Sequence, residues 1–393
     1  MAIRSEQAAT QAMSRGGQAP AVFEFFAGGG LAGIGLAQAG FATAFANDID
    51  AAKSASFRAN HPKVSFVQGD VWGLSPADLP PVAPAVCWAS SPCQDLSLAG
   101  ARGGLKARRS GAFWGFWSLV QGLQAEGRGP PVVVLENVSG LLSSSGGADF
   151  AAVCEAMVEA GYRVGALELD AAQWLPQSRP RLFVVAMKGA AGPEVSAPAA
   201  PFHTPRLIAA QAALPEPVRA AWAWWRMTPP PRRNLDLDAL LLPDGACDWL
   251  DEAETRNLLA MTSPLHRQRL DAALASGERR VAAAFRRVRV EDGRKVQRLE
   301  VRLDGLAGCL RTPAGGSSRQ YVVVAEEGRL RARRLTGREA ARLMGLDDAY
   351  RLPRSESAAL KLTGDAVAVP VVRALGEQLL LPALAGRSRE MAA

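Results

Sequence analysis

Val22-Phe23-Glu24-Phe25-Phe26-Ala27-Gly28-Gly29-Gly30-Leu31-Ala32-Gly33 passes from a strand pattern through a glycine turn into a helix pattern. Gly28, Gly30 and Gly33 satisfy G-x-G-x-x-G, and Asp48 follows about 20 residues on, where a ribose-binding acid belongs. Such a loop serves NAD, FAD or S-adenosylmethionine equally, because each presents a ribose diol to a carboxylate. Asp70, after Gly69, ends the next strand pattern, where it either reads an adenine amino group or serves as a turn acid.

The same rhythm repeats on either side. Apolar runs at Val22–Phe26, Thr43–Asn47, Val64–Val67, Ala85–Ala89, Val132–Leu135, Arg163–Leu169 and Leu182–Met187 read as strands. Helical patterns lie between them at Gly35–Ala39, Ser110–Leu123 and Phe150–Ala160. Repeated strand–helix–strand units predict an α/β fold, a doubly wound and mainly parallel seven-stranded sheet with helices on both faces.

Open α/β sheets bind ligands at the carboxyl ends of their strands. Ser90-Ser91-Pro92-Cys93-Gln94-Asp95-Leu96-Ser97 puts a thiol at one such end, and Leu135-Glu136-Asn137-Val138 puts a carboxylate at another. A lone cysteine is more often structural than reactive. Here Pro92 precedes it and a Gly-rich stretch, Gly100–Gly111, follows, which reads as a loop able to close over a substrate. A carboxylic acid kept neutral at Glu136 can donate to a ring nitrogen. In Gln177-Ser178-Arg179-Pro180-Arg181, two guanidinium groups can orient Glu136, hold a phosphate, or simply charge an edge strand. Together these features predict a group-transfer enzyme with a covalent cysteine step.

The 393 residues are 48% apolar and 21% charged, ordinary for a globular chain with room for two domains. No apolar run reaches the roughly 20 residues of a bilayer span, and no secretory leader is visible, which predicts a cytoplasmic protein without a membrane partner. The 5 cysteines match no zinc spacing and the 3 histidines are scattered, so no metal is expected. The net charge of +7 is concentrated between Arg279 and Arg302. That excess fits a polyanion such as nucleic acid, or equally a solvated Arg-rich surface.

Residues 1–19 read as a disordered tail and 20–189 as the catalytic and cofactor-binding domain. After the linker-like Ala190–Pro205, the strand–helix rhythm stops. Residues 190–345 are therefore read as a second, smaller and irregular domain with a hinge, its core built on Trp222, Trp224 and Trp225. Thr336-Gly337-Arg338-Glu339 is a capping box opening a helix through Ala340, Leu343 and Met344. Residues 346–393 read as a segment returning to the first domain, with Asp365 as a helix N-cap.

Phe26-Ala27-Gly28 with Gly30, Asn47-Asp48, Gly69-Asp70, Pro92-Cys93-Gln94, Glu136-Asn137-Val138 and Gln177-x-Arg179-x-Arg181 occur in that order. They are followed by Arg334-Leu335-Thr336 with Arg338-Glu339, and by Gly364-x-Ala366-Val367. In this order they resemble the DNA cytosine-5 methyltransferases of bacterial type, over residues 22 to 370 except the variable recognition region.

The resemblance implies an S-adenosylmethionine site of Phe26, Gly28, Gly30, Asp48, Ile49, Asp70, Val71, Pro92, Asp365 and Ala366. It implies catalysis by Cys93, Glu136, Arg179 and Arg181, with Cys93 attacking C6 of a flipped cytosine. It also implies duplex DNA held by Gln94, Ser97, Arg109, Arg286, Arg287 and Arg289, and a monomer close to the nucleoid, as in restriction-modification. The chain departs from the family at Leu31, where a further glycine is common, and at Asp365, where asparagine is usual. A nicotinamide oxidoreductase would leave Cys93, Glu136 and the basic region without roles. A transfer-RNA cytosine methyltransferase and a silent DNA-binding relative are the other two alternatives.

Overall fold

The computed structural model describes residues 19–92, 111–189, 192–291, 293–312 and 319–392. The chain divides into two compact units. The first takes in residues up to Leu169, then Pro180–Pro229 and Val369–Ala393; the second comprises Asp170–Arg179 and Pro230–Ala368.

In the first unit, runs rich in Val, Phe and Ala form β1 (Ala21–Phe25), β2 (Ala42–Asp48), β3 (Ser65–Gln68), β4 (Val86–Ala89), β5 (Val132–Asn137), β6 (Arg163–Asp170) and β7 (Pro180–Met187). They form one sheet in the order β3-β2-β1-β4-β5-β7-β6. Neighbours from β3 to β5 are parallel, and β7 runs antiparallel to β5. The expected seven-stranded, mainly parallel sheet is thus present. Strands β4 and β5 are buried along their whole length, as strands covered on both faces must be, and their sequences are accordingly continuous apolar runs.

Strand order reverses between β1 and β4, because β2 lies on one side of β1 and β4 on the other. Such a switch point leaves a crevice at the carboxyl ends of both strands. Helix α1 (Leu31–Gln38) follows β1 and α2 (Ala51–Asn60) follows β2. One face of the sheet packs Phe23, Phe25 and Phe45 against Phe113, Phe116 and Trp117 of α3 (Ala112–Ala125). Burying each such ring stabilises the fold by about 1.5–3 kcal/mol. The returning segment predicted near the end of the chain joins this unit from Val369 onward. A Cβ on Gly35 of α1 would come 2.7 Å from the Val369 carbonyl oxygen, so helix Val369–Leu375 packs directly on α1. The stretch Glu356–Arg387 has the length and hydropathy of a membrane span, contrary to expectation, and 61% of its apolar part is buried inside the protein.

Residues 192–229, expected in the second domain, pack with the first. Leu207, Leu214, Val218 and Trp222 belong to its main core, and the Trp225 indole donates to the Val185 carbonyl at 3.0 Å. The tryptophans cluster as predicted, but they cover the sheet rather than nucleate a second domain.

The second unit is more regular than its composition suggests. Strands β10 (Arg280–Glu291), β11 (Arg294–Arg302), β12 (Gln320–Glu326) and β13 (Arg329–Arg334) make an antiparallel sheet in the order β11-β10-β12-β13; the labels β8 and β9 belong to Glu194–Val195 and Trp224–Trp225 of the first unit. Ala282, Ala284, Leu299, Val301, Tyr321 and Val323 form its core with Leu258, Leu259 and Leu270 from two helices. The capping box is present: the Thr336 hydroxyl accepts from the Glu339 amide and opens the helix Gly337–Leu343.

Candidate active site

Three residues after β1 have positive φ: Phe26 at 56°, Gly28 at 57° and Gly30 at 82°. For a bulky residue such as Phe26 this conformation is strained by roughly 1–3 kcal/mol, and residues held that way cluster at ligand sites. Gly30 has a second constraint, since a Cβ there would fall 2.4 Å from His61 Nε2. Burial pushes the His61 imidazole below its ordinary value, with its hydrogen bond to the Gly29 carbonyl acting the other way, so a neutral ring supports the loop.

Asp48 holds the loop from the neighbouring strand. One carboxylate oxygen accepts from the Gly28 amide and the other from the Asp50 amide, both at 2.8 Å. A carboxylate has about four acceptor positions, so two remain for a ligand. Buried Asn47 donates to the Val67 and Gly69 carbonyls at 3.0 Å each, which sets the end of β3 beside the end of β2. Asp70 there accepts from the Trp72 amide at 3.1 Å. Its turn role is therefore real, and one oxygen alone serves it. Val71 is buried beneath this turn.

Two large apolar side chains next to these acids lie open: Ile49 is 66% and Trp72 is 48% exposed. Apolar surfaces beside carboxylates are the donor set that an adenosyl group needs, the ring on the former and its hydroxyls and amine on the latter. The residues present therefore fit S-adenosylmethionine.

At the other side of the switch point, β4 leads into Ser90-Ser91-Pro92. The Ser90 amide donates to the Phe25 carbonyl at 3.2 Å, and Asn137 Nδ2 donates to the Ser91 carbonyl at 3.0 Å. Asn137 thus ties the end of β4 to the end of β5. Glu136, beside it, is 6% exposed and pairs with Arg181 Nε at 3.2 Å from β7. Cys93, Gln94, Ser97, Arg109 and the Gly-rich stretch lie outside the described residues. Burial pushes the thiols of Cys87 and Cys154 well above the ordinary range, so neither offers a thiolate.

Other predicted residues have partners within the protein. Arg179 is 1% exposed and donates to the Leu310 and Gly364 carbonyls at 2.8 Å each. Gln177 beside it donates to the Leu343 carbonyl at 2.7 Å. Both brace loops of the second unit. Asp365 ends the helix Glu356–Asp365 instead of opening one, and accepts from the Thr312 hydroxyl, so it is no N-cap. The Ala366 carbonyl accepts from Arg179. Arg289 is paired with Glu300 at 2.6 Å and Arg286 lies over the Tyr321 ring at 5.3 Å. Arg287 is exposed.

Three residues carry roles that sequence reasoning missed. Glu24 on β1 accepts from the Gly33 amide and so caps α1, whose own N-cap Gly30 has no side chain. Its acid type, two residues before the turn, was the available signal. Asn137 had a motif but no role. Arg333 forms a fully buried pair with Glu339, at 2.6 and 2.8 Å, and nothing in an Arg-rich stretch distinguishes it. Among the described residues no three His, Cys, Asp or Glu side chains gather as a metal site requires.

Comparison with known proteins follows the same outline. Residues 21–224 and 273–381 match the profile described as C-5 cytosine-specific DNA methylase. The Type II methyltransferase M.NgoBI of Neisseria gonorrhoeae is 26% identical over 363 residues, 92% of this chain and 93% of that protein. M.AgeI of Thalassovita gelatinovora is 32% identical over 187 residues, 46% of this chain. That match spans 42% of the length of M.AgeI, and the match to M.Eco47II of Escherichia coli spans 39% of that relative. Among solved structures, S. pombe Dnmt2 methyltransferase superposes with a TM-score of 0.59 at 17% identity, covering 93% of this chain and 99% of that one. A putative prophage DNA modification methyltransferase from E. coli gives 0.54 at 18% identity, with 94% and 100% covered. At these identities the structures speak for the fold.

Proposed function

The chain belongs to the C-5 cytosine-specific DNA methylase family, and on that premise we propose that it transfers a methyl group from S-adenosylmethionine to C5 of cytosine in duplex DNA. The observation that carries this reading is the Asn137–Ser91 bond with the Glu136–Arg181 pair beside it. It sets the strand end that leads to Cys93 next to a nearly buried carboxylate, across the switch point from the Gly28–Gly30 loop and Asp48.

Cytosine is a poor carbon nucleophile, so the reaction needs a covalent step. The target base leaves the duplex stack, which costs a few kcal/mol and is repaid by pocket contacts. Cys93 adds as a thiolate through sulfur to C6 while Glu136, held by Arg181, donates a proton to N3, which takes up the charge pushed into the ring. C5 thereby gains the electron pair that forms the new carbon–carbon bond. Phe26, Ile49 and Trp72 supply apolar surface for an adenine ring, with Asp48 and Asp70 for its ribose hydroxyls and amine. The cofactor, when bound, supplies an electrophilic methyl on a sulfonium. Loss of the C5 proton to a base then returns electrons to the ring and expels the Cys93 thiolate. Arg179 is better understood as a brace for the loops that carry Leu310 and Gly364 than as a catalytic group. We place the protein as a monomer acting on DNA in the cytoplasm.

Nucleoside mass spectrometry on unmethylated plasmid, incubated with the protein and S-adenosylmethionine, tests the reading. 5-Methyldeoxycytidine is expected with the unmodified chain and not with Cys93→Ala. Its appearance with both proteins would remove Cys93 from the mechanism. Its absence from DNA, with 5-methylcytidine formed in transfer RNA, would change the substrate.

A further inference from the structure

The β10–β11 hairpin extends beyond the core of its sheet. Near its base, Ala284 opposite Val301 is buried under the helices of the second unit. Further out, the same face carries Val288 opposite Gln297 and Val290 opposite Lys295, and all four are exposed. Val288 is 52% and Val290 is 70% exposed, and no helix among the described residues covers them. Two valines in open solvent on a strand face otherwise flanked by polar groups call for a partner.

Charge identifies that partner. The opposite face holds the hairpin's two outer carboxylates, Glu291 and Glu300, engaged by Arg298 and Arg289. The face with the valines carries Arg286, Lys295 and no carboxylate among its described residues. An anion can approach this face without meeting a like charge. A two-stranded β-ribbon fits the major groove of B-DNA, about 12 Å wide.

We propose that this face of the hairpin enters the major groove and reads an A·T pair of the recognition sequence, with Val288 and Val290 on the thymine methyl and Gln297 on adenine. Each side chain has the chemistry for its edge: valine is apolar, and the Gln297 amide both donates and accepts, as adenine N6 and N7 require. Val288 and Gln297 are direct cross-strand partners, so their Cβ atoms lie about 5 Å apart. One base pair, or two neighbours, can meet both. Lys295 lies at the tip end of this face, where it reaches a phosphate. The inference rests on the activity proposed above.

Its test begins by mapping the cytosines that the wild-type protein methylates. Every recognition sequence so mapped is expected to contain an A·T pair at a fixed position. Duplexes carrying the target are then compared with ones in which that thymine is deoxyuridine, which lacks only the methyl group. The dissociation constant should rise about fivefold for deoxyuridine with the wild-type chain, and Val288→Ser with Val290→Ser should abolish that difference. Gln297→Ala should lower the preference for adenine at that position by about tenfold. The base-analogue comparison uses the unmodified protein, so it decides even if a variant folds poorly. A target without A·T pairs, or equal affinity for thymine and deoxyuridine, overturns the proposal while leaving the activity standing. No 5-methylcytosine in any duplex overturns both.

Discussion

Glu24 in the first unit and Glu339 in the second are equally hidden, at 1% and 0% exposure, yet their carboxyls are pushed in opposite directions. Burial raises Glu24 from an ordinary 4.5 to about 8, the Gly33 amide offsets only part of this, and Asp48 adds to it. Burial raises Glu339 too, but the Arg333 guanidinium and the amides of Thr336 and Leu242 outweigh it and hold the group below its ordinary value. The difference is one cation. A buried acid with a bidentate arginine is a fixed charge that organises a turn. One that has only an amide is a neutral cap that can still ionise. Glu136 is likewise nearly buried, and Arg181 touches it through one nitrogen at 3.2 Å. The single contact leaves its other oxygen without that arginine, unlike the bidentate pair of Glu339.

Removing the cation from the second unit should have the largest effect on folding. Arg333→Met leaves Glu339 buried and uncompensated, and is expected to cost about 3–5 kcal/mol in denaturant unfolding. Adding Glu339→Gln should recover part of that loss, because the burial of the charge is then relieved. A loss below about 1 kcal/mol for Arg333→Met would mean that water reaches the pair.

A smaller effect, opposite in sign, is expected in the first unit. Because the folded state raises Glu24 to about 8, its contribution to stability is fully present below 4.5 and is lost as pH rises toward 8. Glu24→Gln removes that titration. The variant should gain on the wild type by about 2–4 kcal/mol between pH 5 and pH 9, read as the change in their unfolding free-energy difference. Parallel pH curves for the two proteins would show that Glu24 does not titrate in this window. Glu339 acts the other way, since its contribution is kept above 4.5 and lost as pH falls through the depressed folded value.

The sheet was legible because its strands are long apolar runs at regular spacing, and helix and strand periods differ there without ambiguity. The second sheet was not. β10 sets its valines among three consecutive alanines and several arginines, and β13 reads Arg-Leu-Arg-Ala-Arg-Arg, so neither shows a clear strand pattern, and their pairing comes from tertiary burial. The positions of Asp48, Asp70 and Glu136 at the ends of their own strands were readable. Residues whose partners lie far off in sequence were not. Arg179 and Arg181 are indistinguishable by type, but β7 starts at Pro180, so Arg181 lies on the strand beside Glu136 while Arg179 lies before it and reaches the 310 and 364 carbonyls. Arg289 looked free for DNA until its cross-strand neighbourhood supplied Glu300. Asp365 precedes an apolar helix in sequence, but the preceding helix extends to include it.

The most direct test of the central claim is single-turnover methyl transfer by Glu136→Gln, measured with its thermal unfolding. A rate lower by about 10²–10⁴-fold is expected, with an unfolding midpoint close to that of the wild type, because glutamine keeps an oxygen for the Arg181 contact. Retained methyl transfer, or a loss that follows a matching fall in stability, would contradict it.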